Sequence, residues 1–238
     1  MAKEKTKVDS AFDKVEFLYS KGAIVNLQKH PRYAEKSLTG RPSIDWVTDG
    51  GIPKGRLVLF AGEPSAGKSS LTIQIAEGLG DKILYADTEA TLTTDYLESL
   101  GADPAKFDHF IPETTELMCD VIRQQIPNYD VIIVDSINNS ASGEQLQKTA
   151  GEKTMANRAN VLSSQLPILI GLANQYNTTL IILSQVRDNM DKPNTYSPDT
   201  LVPDGRNLNH NRTKTLQLYN STTKKKNDKA STCTASTT

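Results

Sequence analysis

Residues 57–71 read LVLFAGEPSAGKSSL: an apolar run, a turn of small residues, then the opening of a helical pattern. Within them, Gly62-Glu63-Pro64-Ser65-Ala66-Gly67-Lys68-Ser69 fits GxxxxGK[ST], with the preceding strand and following helix that a phosphate-binding loop requires. Glycines at both ends let the backbone wrap closely, so that its N–H groups point at phosphate oxygens. The helix N-terminus beyond them adds the positive end of its dipole. Lys68 is placed to reach the β- and γ-phosphates, and the Ser69 hydroxyl to ligate Mg²⁺.

Working outward, the same alternation recurs. Apolar runs at residues 57–61 (LVLFA), 83–86 (ILYA), 131–134 (VIIV) and 180–183 (LIIL) alternate with helical patterns at 69–79, 94–100, 116–125 and 157–177. Strands that are apolar throughout are buried on both faces, as in a parallel sheet covered by helices. Separated by helices, they predict βαβ units with right-handed crossovers, hence an α/β fold. Residues 215–219 (TLQLY) alternate and are expected at an edge or in antiparallel pairing. Before the loop, residues 8–19 carry a rough helical stripe and residues 24–27 (IVNL) a short strand pattern, with residues 31–42 read as a connection.

Composition bounds what surrounds this core. The 238 residues carry 27 basic and 28 acidic side chains, a net charge of −1 that conceals +4 over residues 1–41, −9 over 42–188 and +4 over 189–238. Only 37% of the chain is apolar, and the shortfall falls after residue 188, so the core is expected upstream of Met190. No apolar run approaches the ~20 residues of a membrane helix, and the charged start lacks a following apolar stretch. Secretion and membrane insertion are not expected. Cys119 and Cys233 lack metal-ligand spacing and are read as reduced thiols of a cytoplasmic protein. Residues 220–238 are rich in Ser, Thr and Lys and are expected to be a disordered polar tail.

Three polar residues follow the apolar runs. Asp135 ends residues 129–136 (YDVIIVDS), where a Mg²⁺-side carboxylate belongs, although such an Asp is also a common helix cap or turn former. The phosphate loop upstream favours the metal-side role. Glu89 in Asp87-Thr88-Glu89 is placed to activate a water beside the γ-phosphate, or else is a solvated loop acid. Gln185 is a neutral group after the last run, a sensor of the γ-phosphate or a plain surface side chain.

Together these segments resemble the RecA-type recombinases, from about Phe12 to Tyr219. KGAIVNL, the stretch Thr39-Gly40-Arg41-Pro42-Ser43-Ile44-Asp45 and the prelude Gly50-Gly51-Ile52-Pro53-Lys54-Gly55-Arg56 lead into GEPSAGKSS, which includes Ser70. The GGIPKGR prelude distinguishes this family from other proteins with a phosphate loop. The resemblance implies a RecA-like P-loop ATPase core, its mostly parallel central sheet flanked by helices, over residues 42–219. It also implies an N-terminal helical oligomerisation arm and linker over 1–41, with ATP and Mg²⁺ as cofactors. Carried over by position, Glu89 is the water-activating glutamate, Asp135 and Ser136 end the Walker B strand, and Gln185 couples the γ-phosphate to DNA binding. Thr93 and Tyr96 fall where the family contacts adenine, Tyr96 able to stack on the base.

The family's two DNA-binding loops correspond to about residues 138–157 and 186–204. Lys148, Lys153, Arg158, Arg187, Lys192 and Arg206 are candidates for phosphate contacts, Met155 and Met190 for wedging between bases, and Tyr196 for stacking. Glu144, Glu152, Asp188 and Asp191 dilute that positive charge. Asp204-Gly205 stands where the family closes its second loop with two glycines, and His210 matches a position facing the neighbouring subunit's nucleotide. The family's later core strands are replaced by STTKKKNDKASTCTASTT, an expected shortened or frame-shifted end; Lys224, Lys225 and Lys226 show no register with the family's later lysines. The implied function is an ATP-dependent recombinase that forms a helical filament on single-stranded DNA, pairs it with homologous duplex and serves DNA repair, with mediator proteins as further partners. Competing readings are a mediator or helicase-like motor on the same fold, and a truncated nucleotide-binding fragment.

Overall fold

Every residue of Leu57–Gly62, Ile83–Asp87 and Val131–Asp135 is buried, which is the consequence of covering one sheet on both faces. The computed structural model describes residues 35–138, 140, 155–188, 200–201, 212–225 and 228–237, all within one compact unit. In chain order the elements are β1 (Lys36–Ser37), α1 (Pro42–Val47), β2 (Ile52–Pro53), β3 (Leu57–Gly62), α2 (Lys68–Leu79), β4 (Ile83–Asp87), α3 (Thr94–Ser99), β5 (Phe107–Phe110) and α4 (Thr115–Gln125). They continue with β6 (Val131–Asp135), α5 (Met155–Tyr176), β7 (Thr179–Gln185), β8 (Arg187–Asp188), β9 (Thr200–Leu201), β10 (Lys214–Lys225) and β11 (Asp228–Thr237).

The central sheet has seven strands in the order β11-β10-β3-β7-β6-β4-β5, parallel from β10 to β5 and antiparallel at β11. Alternate residues of each strand feed two cores. Val58, Phe60, Ile83, Tyr85, Ile133 and Ile181 face α2 through Ile73, Ile75 and Ala76. Leu57, Leu59, Leu84, Ile132 and Ile182 face α4 and α5 through Met118, Ile122, Leu162, Leu166 and Leu169. The expected α/β core with a mostly parallel sheet is what the chain forms.

Several expectations change. The pattern TLQLY is neither edge nor purely antiparallel: β10 lies parallel to β3, and its antiparallel partner is β11. Within the stretch 220–238, expected as a disordered tail, residues 220–225 extend β10 and residues 228–237 form β11, with Leu216 paired to Thr237 and Lys225 to Asp228. Composition misjudges this stretch because it counts apolar side chains, whereas a ladder is held by main-chain bonds and threonine favours extended backbone. Strand β5 escapes prediction because Phe107-Asp108-His109-Phe110 is short and partly exposed at the sheet edge. Helix α1 lies in a stretch read only as a motif.

The first proposed loop ends earlier than expected, since Met155 already opens α5. The ends of the second pair with each other, Arg187 with Leu201 and Asp188 with Thr200. Residues 8–19 and 24–27, and Lys148, Lys153, Met190, Lys192, Tyr196, Arg206 and His210, lie outside the described residues.

Candidate functional site

The parallel strands deliver their C-terminal ends to one side of the sheet, where open α/β sheets bind ligands. The loop after β3 is anchored to the neighbouring strand ends: Gly62 pairs with Gln185, and Val186 N–H donates to the Gly62 carbonyl at 3.1 Å. Gly67, at φ 82°, supplies the left-handed turn that starts α2 and brings the helix N-terminus to the strand ends. Beyond it a cleft of about 360 Å³ is lined by Pro64, Ser65, Gly67, Lys68, Ser69 and Ser70, and by Glu89, Tyr96, Asp135, Ser136 and Gln185. Residues from four separate segments, each proposed from sequence, thus share one cavity.

Lys68 is buried, and its ammonium donates to the carbonyls of Gly62 at 3.1 Å and Glu63 at 2.7 Å. Those bonds curl the loop around its own lysine. Asp135 is buried at the end of β6, and its Oδ2 accepts two hydroxyl protons, from Ser69 at 2.5 Å and Tyr85 at 2.6 Å. Because Ser69 donates its proton to Asp135, its oxygen lone pairs remain for a cation. A hydroxyl and a carboxylate are hard oxygen donors, suited to Mg²⁺, which takes one or two protein ligands and completes its shell with phosphate oxygens and water. No cluster of three His, Cys, Asp or Glu able to hold a metal occurs among the described residues.

Tyr85 is a member of this site that the sequence reading passed over as part of an apolar strand. Burial first, and then the Asp135 charge beside it, push its hydroxyl well above the ordinary tyrosine range. It therefore remains a donor and fixes the carboxylate. The signal available in sequence was a polar-tipped aromatic two residues before Asp87 on the strand beside β6.

Glu89 owes its place to Asp87, on the strand adjacent to β6 and in register with Asp135. The Asp87 carboxylate accepts the N–H groups of Glu89 at 3.1 Å, Thr91 at 2.8 Å and Leu92 at 2.8 Å, a local turn that fixes residues 88–92. His109 on β5 approaches the same carboxylate at 3.1 Å. Thr88 binds the β6 end through its N–H to the Asp135 carbonyl at 2.8 Å and its hydroxyl to the Ser136 carbonyl at 2.9 Å. Ser136 then donates to Glu89 Oε1 at 3.3 Å. The Glu89 carboxylate is thus held against the strand carrying Asp135.

Tyr96 lies across the cleft and shares a hydrogen bond of 2.7 Å with Ser70. Thr93, expected near adenine, caps α3 by accepting the Tyr96 N–H at 3.2 Å and is not among the residues lining the cleft. Gly62, Glu63 and Ala66 shape the loop without lining the cleft either. Arg158, a candidate for DNA contact, is half-buried and donates to the Asn138 carbonyl at 2.6 Å. Met155 and Arg187 are placed by backbone only, in α5 and β8.

Comparison with known proteins matches this arrangement. The family model of the RecA N-terminal domain covers residues 6–237. A protein RecA of Anaplasma marginale (strain Florida) is 30% identical over 192 residues, which span 77% of this chain and 54% of the relative. One from Aquifex aeolicus (strain VF5) is 28% identical over 195 residues, or 79% of this chain and 56% of the relative. That of Aquifex pyrophilus is 30% identical over 193 residues, or 78% and 56%. The chain spans about half the length of the curated relatives it matches. With nearly all its residues covered by the family model and its cleft assembled from the segments that carry the likeness, the chain belongs to the RecA family.

Proposed function

We propose that the protein is a DNA-dependent ATPase of the recombinase type, which binds single-stranded DNA as a filament and pairs it with homologous duplex. The observation that carries this reading is the convergence of Lys68, Ser69, Asp135, Glu89 and Gln185 on one cleft in a chain of the RecA family. Lys68 and the N–H groups of the loop hold the triphosphate, while Ser69 and Asp135 hold Mg²⁺, which supplies charge neutralisation at the phosphates. Glu89, fixed by Asp87 and Ser136, orients a water and accepts its proton. Gln185, at the end of β7 and the start of the segment proposed to contact DNA, senses the γ-phosphate.

A head-to-tail contact between copies is heterologous and builds an open filament rather than a closed ring. Phosphate contacts and base stacking then bind the strand with little sequence preference, while base pairing selects the homologous duplex. Joint-molecule formation tests the reading: with ATP and Mg²⁺, the protein is expected to pair a circular single strand with linear homologous duplex. DNA-stimulated hydrolysis without joint molecules would instead place it with mediators or motors of the same fold.

A further inference from the structure

The end of β6, the end of β7 and the first turn of α5 meet at one residue, Asn138. Its Oδ1 accepts the Ser184 hydroxyl proton at 3.0 Å and the Gln185 main-chain N–H at 2.9 Å. Its own carbonyl accepts Arg158 Nη1 at 2.6 Å. One residue earlier, Ile137 N–H donates to the Leu183 carbonyl at 3.1 Å, so the two strand ends are already locked where Asn138 begins. The Gln185 N–H sets the orientation of the amide: turning it over would place its NH₂ against that donor and forfeit the bond. Its Nδ2 is buried and without an acceptor among the described residues, so the side-chain bonds described for Asn138 are those of its oxygen.

The consequence is a mechanical link. Gln185 lines the nucleotide cleft, and its main-chain nitrogen is the atom that Asn138 grips. The carbonyl of Asn138 stands at one end of residues 139–154, and Arg158, which binds that carbonyl, stands just past the other. A movement of the Gln185 backbone therefore reaches both ends of that segment through a single residue, whose side-chain oxygen holds Gln185 and whose main-chain carbonyl holds Arg158. Buried hydrogen-bonded groups transmit such displacements because the interior offers them no alternative partners.

We propose that Asn138 is a positioning residue that couples the γ-phosphate side of the cleft to the DNA affinity of the first loop. The proposal rests on the reading above, that nucleotide controls binding of single-stranded DNA. It assigns no contact with nucleotide to Asn138, so its removal changes the linkage between two binding events rather than either event alone.

The test measures the dissociation constant of the full chain for fluorescein-labelled oligo(dT), once with Mg²⁺ and a non-hydrolysable ATP analogue and once with Mg²⁺ and ADP. The ratio of the two constants is the coupling. Asn138→Leu keeps the size and removes the acceptor; the ratio is expected to fall by about fivefold or more, with affinity for the analogue in the absence of DNA unchanged. Asn138→Asp keeps an oxygen for both donors and is expected to retain the ratio. A merely structural role would weaken DNA binding equally in both nucleotide states.

A wild-type ratio in Asn138→Leu overturns the proposal, and so does equal loss of the ratio in the Leu and Asp variants. If Asn138→Leu is not folded by circular dichroism, Ser184→Ala carries the test, since it removes one of the two donors: a reduced ratio supports the proposal and an unchanged one overturns it. A wild-type protein whose DNA affinity ignores nucleotide contradicts the functional reading itself, whatever the variants do.

Discussion

At Asp135 a single carboxylate oxygen accepts from both Ser69 and Tyr85, and this sharing would hold the carboxylate and hydroxyl of the proposed Mg²⁺ site in place. Tyr85 holds the carboxylate so that it need not turn toward solvent, and the carboxylate in turn orients the Ser69 hydroxyl. Tyr85→Phe removes only the hydroxyl. The expected outcome is a rise of about tenfold or more in the Mg²⁺ concentration needed for half-maximal hydrolysis, with ATP and DNA saturating; an unchanged Mg²⁺ dependence would show that Tyr85 does not orient Asp135. Tyr85 was hidden in sequence because its strand must be apolar and its ring packs in the core, so that only its neighbour across the sheet reveals the use of its hydroxyl. The P-loop residues were legible because their work is done by backbone wrapping and a helix N-terminus, both local to the motif.

Cys119 shows the same scale from the side of stability. It is a free thiol buried on α4, and burial chiefly, with the Asp120 and Glu116 charges adding to it, pushes it up to about 12 from an ordinary 9.0. A raised folded-state value favours folding fully below the unfolded value, and that contribution is lost as pH rises from about 9 toward 12. In a Cys233→Ser background, Cys119 is therefore expected to resist a thiol reagent at pH 8 in the native protein and to react fully in denaturant. Rapid native-state labelling would contradict this burial.

At the scale of elements, β3 and β10 explain why one P-loop position tolerates no side chain. A Cβ at Gly62 would lie 2.7 Å from the Leu218 carbonyl oxygen and 3.3 Å from the Leu218 Cβ, so glycine permits the close approach of β10. Gly62→Ala is expected to cost about 1–3 kcal/mol of stability, seen as a lower Tm in thermal unfolding; an unchanged Tm would mean that β10 yields freely. The motif already required glycine here for phosphate binding, but its packing role depends on a strand about 150 residues later and could not be read locally. The four central strands were legible because double-sided burial makes them apolar from end to end. By contrast, β5 and β11 were not, since edge strands need main-chain partners more than apolar side chains. Asn138, too, escaped notice, because its partners Ser184 and Gln185 are joined to it only by the adjacency of β6 and β7.

For the whole molecule, the net charge of −1 is the wrong quantity from which to judge nucleic-acid binding. Residues 42–188 carry −9, while the segments before and after each carry +4, so the basic groups lie mainly toward the ends of the chain. In a filament each copy adds its contacts to those of its neighbours, and a modest basic complement per subunit suffices. A cleft is assembled at the strand ends, the Glu89 carboxylate is held there by Ser136 at the end of β6, and Gln185 lines the same cleft at the end of β7, where the proposed DNA segment begins. The function proposed on these observations makes DNA binding and hydrolysis one linked process.

The most direct test is the steady-state rate of ATP hydrolysis with Mg²⁺, with and without saturating single-stranded DNA, for the wild-type chain and Lys68→Ala. Slow hydrolysis by the wild type alone, a clear rise on adding DNA, and no hydrolysis by Lys68→Ala in either condition are expected. A wild-type rate indifferent to single-stranded DNA, or a rate that survives Lys68→Ala, would contradict the linkage of DNA binding to hydrolysis in this cleft.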